Sequence, residues 1–191
     1  MARRAPDLAR AARAIEELLD ALGTPIDSDP ELAGTGARTA EAFANDLLCG
    51  YDMDPAAILG ESTASRAQGL VVVKDVATTA MCPHHLLPAN GVVHVAYLPR
   101  DRVVGLGALA RRFVLQEDLG QSIADAIVQH LGARGAAAIV DLSPSCVTAR
   151  GERRHGARAI TAAFAGEMSA DPALRAEVWS ALGAQEKSES R

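Results

Sequence analysis

Residues Met81–Leu86 read MCPHHL and place Cys82 and His85 three positions apart, so that a thiolate and an imidazole can bind one metal ion from a tight turn. Another cysteine, Cys146, lies far downstream and supplies a third ligand if the chain folds back. Three soft sulfur and nitrogen ligands suit zinc, and three rather than four leave a position for water, which is typical of catalytic zinc sites. The alternative reading of these residues is two buried cysteines and a hydrogen-bonded histidine.

The composition narrows the class of protein. The chain has 191 residues, of which 49% are hydrophobic, enough for one domain of ordinary size with an added helical segment. A net charge of -5 argues against a nucleic-acid partner, because contacts to a phosphate backbone need a basic surface. An odd number of cysteines, three, argues against a disulfide framework and favours a reducing compartment. No run approaches the ~18 consecutive apolar residues of a membrane span. We therefore expect a cytoplasmic protein without a membrane partner.

Hydrophobic periodicity divides the chain into helices and strands. Helices are predicted over residues 7–22, 36–48, 55–59, 108–112, 116–131 and 171–182. Strands are predicted over residues 70–76, 92–98, 136–142 and 157–164, with a turn at Asn90-Gly91 before the second strand. The order ββααββ behind N-terminal helices indicates an α+β protein. We divide it into an N-terminal helical region, residues 1–50, and a catalytic domain, residues 51–191, that ends in a C-terminal helix.

Several separate motifs, in order along the chain, resemble those of the GTP cyclohydrolase I family. They are CPHHLLP at residues 82–88, GVVHVAYLP at 91–99, Gly105-Leu106, Gln116-Glu117 and CVTARG at 146–151. The resemblance covers residues from about Thr35 to Gly166, most of the chain. It implies the tunnelling fold, an antiparallel four-stranded sheet with two helices inserted after the second strand. It also implies a homo-oligomer, typically a decamer, in which subunits join their sheet edges into a barrel with active sites at the subunit interfaces.

The reaction that the resemblance implies is hydrolysis of a purine ring. The family opens the guanine of GTP at C8, releases formate and rearranges the ribose to give the pterin dihydroneopterin triphosphate. Cys82, His85 and Cys146 match the family's zinc ligands, and His84 matches a catalytic histidine. A histidine beside the metal can protonate a ring nitrogen or the ribose oxygen as the bond breaks.

The resemblance also assigns residues to the substrate, a guanine nucleotide or nucleoside. Gln116 and Glu117 match the pair that recognises the purine, and a carboxylate such as Glu117 can accept two N–H bonds from a guanine edge. The arginines that match phosphate-binding positions are Arg38, Arg111 and Arg150. Their forked guanidinium donors suit phosphate oxygens.

Four positions depart from the family pattern. Pro144 stands where the family has a second catalytic histidine, and proline cannot transfer a proton. Gly107-Ala108 replaces a Ser-Lys pair, and Glu41 replaces a lysine near the phosphate. The connection between Arg111 and Gln116 is several residues shorter than in the family. These changes remove cations from the phosphate cradle, and each lost charge-assisted contact costs roughly 1.5–3 kcal/mol.

Three readings follow. The first is a zinc hydrolase of the GTP cyclohydrolase I type, acting on GTP, on a variant substrate, or only as far as ring opening. The second is a catalytically inactive paralogue that binds a purine or pterin or regulates an active partner. The third is the nitrile reductase of the same fold, which needs a nucleophilic cysteine that Cys49 is poorly placed to provide. His155, within the basic stretch after Arg150, is a candidate replacement for the histidine missing at Pro144, although a turn is expected between them.

Overall fold

The computed structural model describes residues 4–60, 62–103, 112, 114–150 and 153–183. Its α-helices are α1 Leu8–Ala21, α2 Thr35–Ala42, α3 Pro55–Gly60, α4 Gln116–Ala126, α5 Ser145–Thr148, α6 Glu167–Ala170 and α7 Pro172–Gly183. Its strands are β1 Thr63–Ala64, β2 Val71–Met81, β3 Pro88–Leu98, β4 Arg102–Val103, β5 Gly135–Pro144 and β6 Ala159–Gly166. Wider π-helical turns extend α2 over Phe43–Leu47 and α4 over Ile127–Leu131, and short 3₁₀ turns cover Pro30–Leu32 and Cys49–Asp52. Among the described residues, no helix has both the length and the apolar character needed to cross a membrane.

The chain divides into two compact units, Met1–Asp52 and Met53–Arg191. In the N-terminal unit, Asp7 caps α1 by accepting a hydrogen bond from the backbone N–H of Arg10 at 2.9 Å. Helices α1 and α2 approach closely at Gly36, where a Cβ atom would lie 2.6 Å from the carbonyl oxygen of Ala12. A glycine is therefore required for this helix pair to pack.

The second unit is built on a four-stranded antiparallel sheet with the strand order β2-β3-β5-β6. Helix α4 packs on one face and buries the larger core, to which the sheet contributes Val93, Val95, Tyr97 and Val140 and the helix Leu119, Ile123 and Ile127. Helices α6 and α7 cover part of the other face through Met168 and Val178, against Ala96, Leu98, Ala137 and Ile139. Small alanines on β5 let the helices approach the sheet in a chain with few aromatic residues.

The expected turn at Asn90-Gly91 is wrong, because both residues lie inside β3. Asn90 pairs with Thr79 on β2, and Gly91 pairs with Thr78 on β2 and Leu142 on β5. A Cβ atom at Gly91 would lie only 2.1 Å from the carbonyl oxygen of Asp141. Glycine is used here for a close approach of two backbones and not for a turn.

The predicted α+β fold class and the four-stranded antiparallel sheet are confirmed. Strands β2 and β3 are longer than predicted, so the hairpin connection between them shrinks to the six residues after Met81. Of the two predicted inserted helices, 116–131 is present, whereas 108–112 lies almost wholly outside the described residues. The short helix α5, directly after β5, was not predicted.

Candidate metal centre

The hairpin connection between β2 and β3 positions the first two candidate ligands. The backbone N–H of Leu86 donates a hydrogen bond to the carbonyl oxygen of Cys82 at 3.0 Å. The backbone N–H of Cys82 donates in turn to the carbonyl oxygen of Leu87 at 2.9 Å. Leu86 adopts a left-handed conformation with φ 56°, which turns the chain back towards β3. In this tight turn the sulfur of Cys82 lies 3.6 Å from Nδ1 of His85.

The third candidate ligand comes from the end of β5. Pro144, the last residue of β5, pairs with Ala89 at the start of β3, so the end of β5 lies beside the hairpin connection. Helix α5 begins at the next residue and is closed by a hydrogen bond from the N–H of Ala149 to the carbonyl oxygen of Ser145 at 2.9 Å. Cys146 lies in this single turn.

The ligand atoms of Cys82, His85 and Cys146 all lie within 4.8 Å of one another. Two sulfurs and one imidazole nitrogen at this separation can contact one ion of borderline-soft character, and they suit a divalent metal of the zinc type. Within the part of the chain described, this is the one group of three or more such side chains with metal-binding geometry. The residues present therefore fit the metal that the sequence predicts.

The electrostatics of the cluster favour a cation. Burial raises the pKa of the Cys146 thiol, and the neighbouring Cys82 sulfur raises it further. A backbone hydrogen bond and the positive charge of Arg150 act in the opposite direction and lower the pKa. Two thiols this close repel each other once ionised, and a metal cation bound between them removes that cost.

His84 adjoins the cluster without belonging to it. Its ring centroid lies 6.2 Å from that of His85, with the two rings edge to face at 79°. The side chain is exposed. An imidazole in this position can exchange protons with solvent and with a molecule bound beside the metal ligands.

Gln116 begins α4 with its side chain directed onto the sheet. Its Nε2 atom donates hydrogen bonds to the carbonyl oxygens of Val140 on β5, at 2.9 Å, and Ala159 on β6, at 2.6 Å. Its neighbour Glu117 is exposed in the first turn of the same helix.

The sequence profile of the GTP cyclohydrolase I family matches residues 11–183. The chain belongs to the GTP cyclohydrolase I family. It is 40% identical over 179 residues to a GTP cyclohydrolase 1 of Rhodopirellula baltica, covering 90% of this chain and 77% of that protein. A GTP cyclohydrolase 1 of Leifsonia xyli is 40% identical over 187 residues, covering 93% of this chain and 96% of that one. One of Ralstonia nicotianae is 37% identical over 186 residues, covering 94% of this chain and 88% of that one.

Among solved structures, the chain is similar to an archaeosine synthase QueF-Like in the apo form. The TM-score is 0.43 and the sequence identity 18%, and the match covers 53% of this chain and 97% of that one.

The three arginines expected at the phosphate of a GTP cyclohydrolase I substrate have different surroundings. Arg38 lies in the N-terminal unit, where its guanidinium donates to the carbonyl oxygen of Ala33 at 2.7 Å and to the hydroxyl of Thr35 at 2.9 Å. Arg111 lies outside the described residues. Arg150 is exposed just after α5 and close enough to Cys146 to lower its pKa. Arg150 therefore lies near the candidate metal ligands of its own unit.

Other departures from the family pattern take definite places in the structure. Pro144 is both the last residue of β5 and the residue that precedes α5, and its carbonyl oxygen accepts a hydrogen bond from the Thr148 hydroxyl at 3.2 Å. Arg158, one of the basic residues after Arg150, is turned to Asp141, with Nε 2.7 Å from Oδ1. Glu41 is exposed in α2, and Gly107-Ala108 lies outside the described residues.

Two apolar side chains beside the ligands were not singled out from the sequence. Leu86 is 55% exposed and Val147 is 38% exposed, and each is next in sequence to a candidate ligand. Isolated exposed apolar residues are common on protein surfaces, so a sequence alone gives no reason to select these two.

Proposed function

We propose that the protein is a zinc-dependent hydrolase of the GTP cyclohydrolase I type, which opens the imidazole ring of a guanine nucleotide at C8. The observation that carries the proposal is the convergence of Cys82, His85 and Cys146 to within 4.8 Å, in a chain that belongs to this family. In this proposal residues 51–191 form the catalytic domain.

Cys82, His85 and Cys146 would hold the zinc ion. Bound zinc supplies a hydroxide nucleophile near neutral pH by lowering the pKa of water to ~7. The two cysteines bind as thiolates, and the charge of Arg150 favours this form of Cys146. His85 presents Nδ1 on the side of the Cys82 sulfur, which is the side on which a metal would lie.

His84 is the proposed general acid and base. One nitrogen of its exposed ring would deliver a proton to the ring nitrogen of the purine as the bond from C8 to that nitrogen breaks. The edge-to-face contact with His85 holds its ring near the metal ligands, at a centroid separation of 6.2 Å. Exposure lets the ring regain its proton from water.

The remaining assignments concern the substrate. Gln116 and Glu117, at the start of α4, are proposed to form the guanine-binding end of the site, with the Glu117 carboxylate accepting N–H bonds from the edge of the base. Arg150, together with Arg111 and Arg38, is proposed to bind phosphate through charge-assisted hydrogen bonds. A homo-oligomer, with a decamer as the expected form, and a cytoplasmic location remain predictions.

The proposal has two versions: the complete reaction from GTP to the pterin, and a reaction that uses a variant substrate or stops after ring opening. Pro144 has no titratable proton, and Glu41 is an anion where the family has a cation. Ring opening needs mainly a nucleophile and one acid, whereas ribose rearrangement needs further proton transfers and a firm hold on the phosphate. These positions favour a variant substrate or a reaction that stops after ring opening. The alternative from another class is an inactive paralogue that binds a purine or pterin.

The test is an incubation of zinc-loaded protein with GTP, GMP and guanosine, followed by assays for formate and for the ultraviolet change of an opened imidazole ring. Formate together with a fluorescent pterin would support the complete reaction. Ring opening without pterin would support the shortened one. Absence of turnover on all three compounds, with one zinc per chain verified, would contradict the hydrolase and support the inactive paralogue.

A further inference from the structure

The hydrogen bonds of Gln116 fix the orientation of its side-chain amide. Both partners, Val140 and Ala159, offer carbonyl oxygens, at 2.9 Å and 2.6 Å. A carbonyl oxygen only accepts hydrogen bonds, so the atom that faces the two strands has to be the amide nitrogen. The usual ambiguity between the oxygen and nitrogen of a glutamine side chain is therefore absent here.

The amide nitrogen of Gln116 carries two hydrogens, and the two carbonyl oxygens take both. The only atom left for a ligand is Oε1, which accepts and does not donate. Gln116 thus has no hydrogen to offer to the 6-oxo group of a guanine base.

These two bonds hold the start of a helix that has no ordinary cap. Leu115 occupies the N-cap position of α4 and makes no side-chain hydrogen bond to the first turn. An apolar N-cap leaves the first backbone N–H groups without the usual side-chain acceptor. Gln116 joins this uncapped turn to β5 and β6 instead, and Glu117 is the next residue of the same turn.

We propose that Gln116 is a positioning residue, which holds the first turn of α4 on the sheet so that the Glu117 carboxylate faces the base and which makes no donor contact to the base itself. The inference rests on the proposed function, because Glu117 has a base to face only if the site binds a guanine nucleotide. Recognition of the base then depends on the Glu117 carboxylate, which accepts hydrogen bonds. Such a site selects purines that carry N–H donors on the edge with the 2-amino group.

The anchoring role can be tested without any ligand by replacing Gln116 with glutamate. A carboxylate facing two carbonyl oxygens is disfavoured when ionised and donates one hydrogen bond when protonated, so its pKa in the folded state rises above the usual ~4.3. Its protonated form is the stabilising one, and that stability is lost as the pH rises through the raised pKa. We therefore expect the melting temperature of Gln116→Glu to fall further below that of the wild type at pH 8 than at pH 5.

Gln121 provides the matched control on the same helix. It is exposed, and its Nε2 donates to Oδ1 of Asp125 at 2.9 Å. Gln121→Leu is expected to change the melting temperature by less than about 2 °C, whereas Gln116→Leu is expected to lower it by about 4–8 °C. Equally small decreases in melting temperature for Gln116→Leu and Gln121→Leu would overturn the anchoring role of Gln116. A decrease in the melting temperature of Gln116→Glu that is the same at pH 5 and pH 8 would also overturn it.

The positioning role is tested with a pair of nucleotides, GTP and 6-thioguanosine triphosphate, which keeps the N1–H and 2-amino donors but carries sulfur, a much weaker hydrogen-bond acceptor, in place of the 6-oxo oxygen. If Gln116 acts through Glu117, Gln116→Leu weakens the binding of both nucleotides by the same factor, about 10-fold. In the Glu117→Gln background the same substitution should produce almost no further loss, because the group that it positions is already absent. Weakening confined to GTP, or a full additional loss in that background, would show direct contact to the base and overturn the proposal.

If the proposed function is wrong, the binding and stability measurements give a different combination of results. A zinc-loaded wild-type protein that binds neither nucleotide would overturn the proposed function and the role of Glu117 together. The pH-dependent decrease in the melting temperature of Gln116→Glu would still appear in that case, because the hydrogen bonds from Gln116 to β5 and β6 require no ligand.

Discussion

The sulfur atoms of Cys82 and Cys146 lie within 4.8 Å of each other, although one cysteine follows β2 and the other follows β5. The antiparallel pairing of β3 with both strands makes this convergence unavoidable. Met81 pairs with Pro88 on β3, and Pro144 pairs with Ala89, so β2 and β5 both end where β3 begins. The register of the sheet thus brings the candidate metal ligands together, and a substitution that disturbs the register should also separate them.

His84→Asn is expected to lower turnover by about 10²- to 10⁴-fold while leaving the zinc content unchanged, because in the proposed function the histidine transfers a proton and is not one of the three metal ligands. The measurement is kcat with GTP beside metal analysis of the same preparation. His130→Asn removes an exposed histidine from the extension of α4 and should leave turnover within about twofold of the wild type. A normal kcat in His84→Asn, or loss of its zinc, would exclude the proposed role.

Arg150→Gln is expected to raise KM for GTP about 10- to 100-fold, because the variant lacks the charge-assisted contact to phosphate that we propose for Arg150. The increase should shrink for guanosine, which has no phosphate. Arg158→Gln is the matched control, since the guanidinium of Arg158 is held by Asp141 with Nε 2.7 Å from Oδ1. Equal increases in KM for the two variants, or an equal effect on guanosine, would show that Arg150 does not bind the phosphate.

Gly91→Ala should destabilise the sheet by about 3 kcal/mol or more, since the new methyl group overlaps backbone atoms that cannot move without breaking the β3–β5 pairing. The nearest atom, the carbonyl oxygen of Asp141, would lie 2.1 Å from the added carbon. Denaturant unfolding monitored by circular dichroism measures the effect. Gly69→Ala is the control, because an added Cβ there has no atom within 4 Å. Similar stability of the two variants would argue against the observed register.

A pH-dependent contribution to stability is expected from Glu167, which binds Arg134 through two contacts of 3.0 and 2.5 Å. The hydrogen bond from Arg134, supported by its charge, lowers the pKa of Glu167 below its ordinary value. A lowered pKa in the folded state means that the stabilisation is present above the unfolded value of ~4.3 and is lost as the pH falls through the folded value.

Glu167→Gln should therefore reduce the melting temperature by about 1–3 °C near neutral pH, and the difference should close at acidic pH. Glu177→Gln, an exposed position on α7, serves as the comparison at each pH. A difference for Glu167→Gln that grows on acidification would contradict the sign derived from the pair.

The sequence predicts which three side chains come together, Cys82, His85 and Cys146, better than it predicts the path of the chain around them. The spacing of Cys82 and His85 is local chemistry, and the family motifs indicate that Cys146 joins them. The sequence misleads at Asn90-Gly91, because a close backbone approach and a turn both select glycine. The hydrogen bonds of Gln116 were not predictable, because they depend on how closely α4 approaches β5 and β6, and nothing in the neighbouring residues records that distance.

The zinc content of purified Cys146→Ala, measured beside that of Cys49→Ala, tests the central claim most directly. Cys49 lies in the N-terminal unit with its sulfur 3.5 Å from the carbonyl oxygen of Asp46 and has no place among the three ligands. We predict about one zinc per chain in the wild type and in Cys49→Ala, and less than about a tenth of that in Cys146→Ala, together with loss of ring opening. Full zinc occupancy in Cys146→Ala, or a wild type that binds no zinc, would contradict the account.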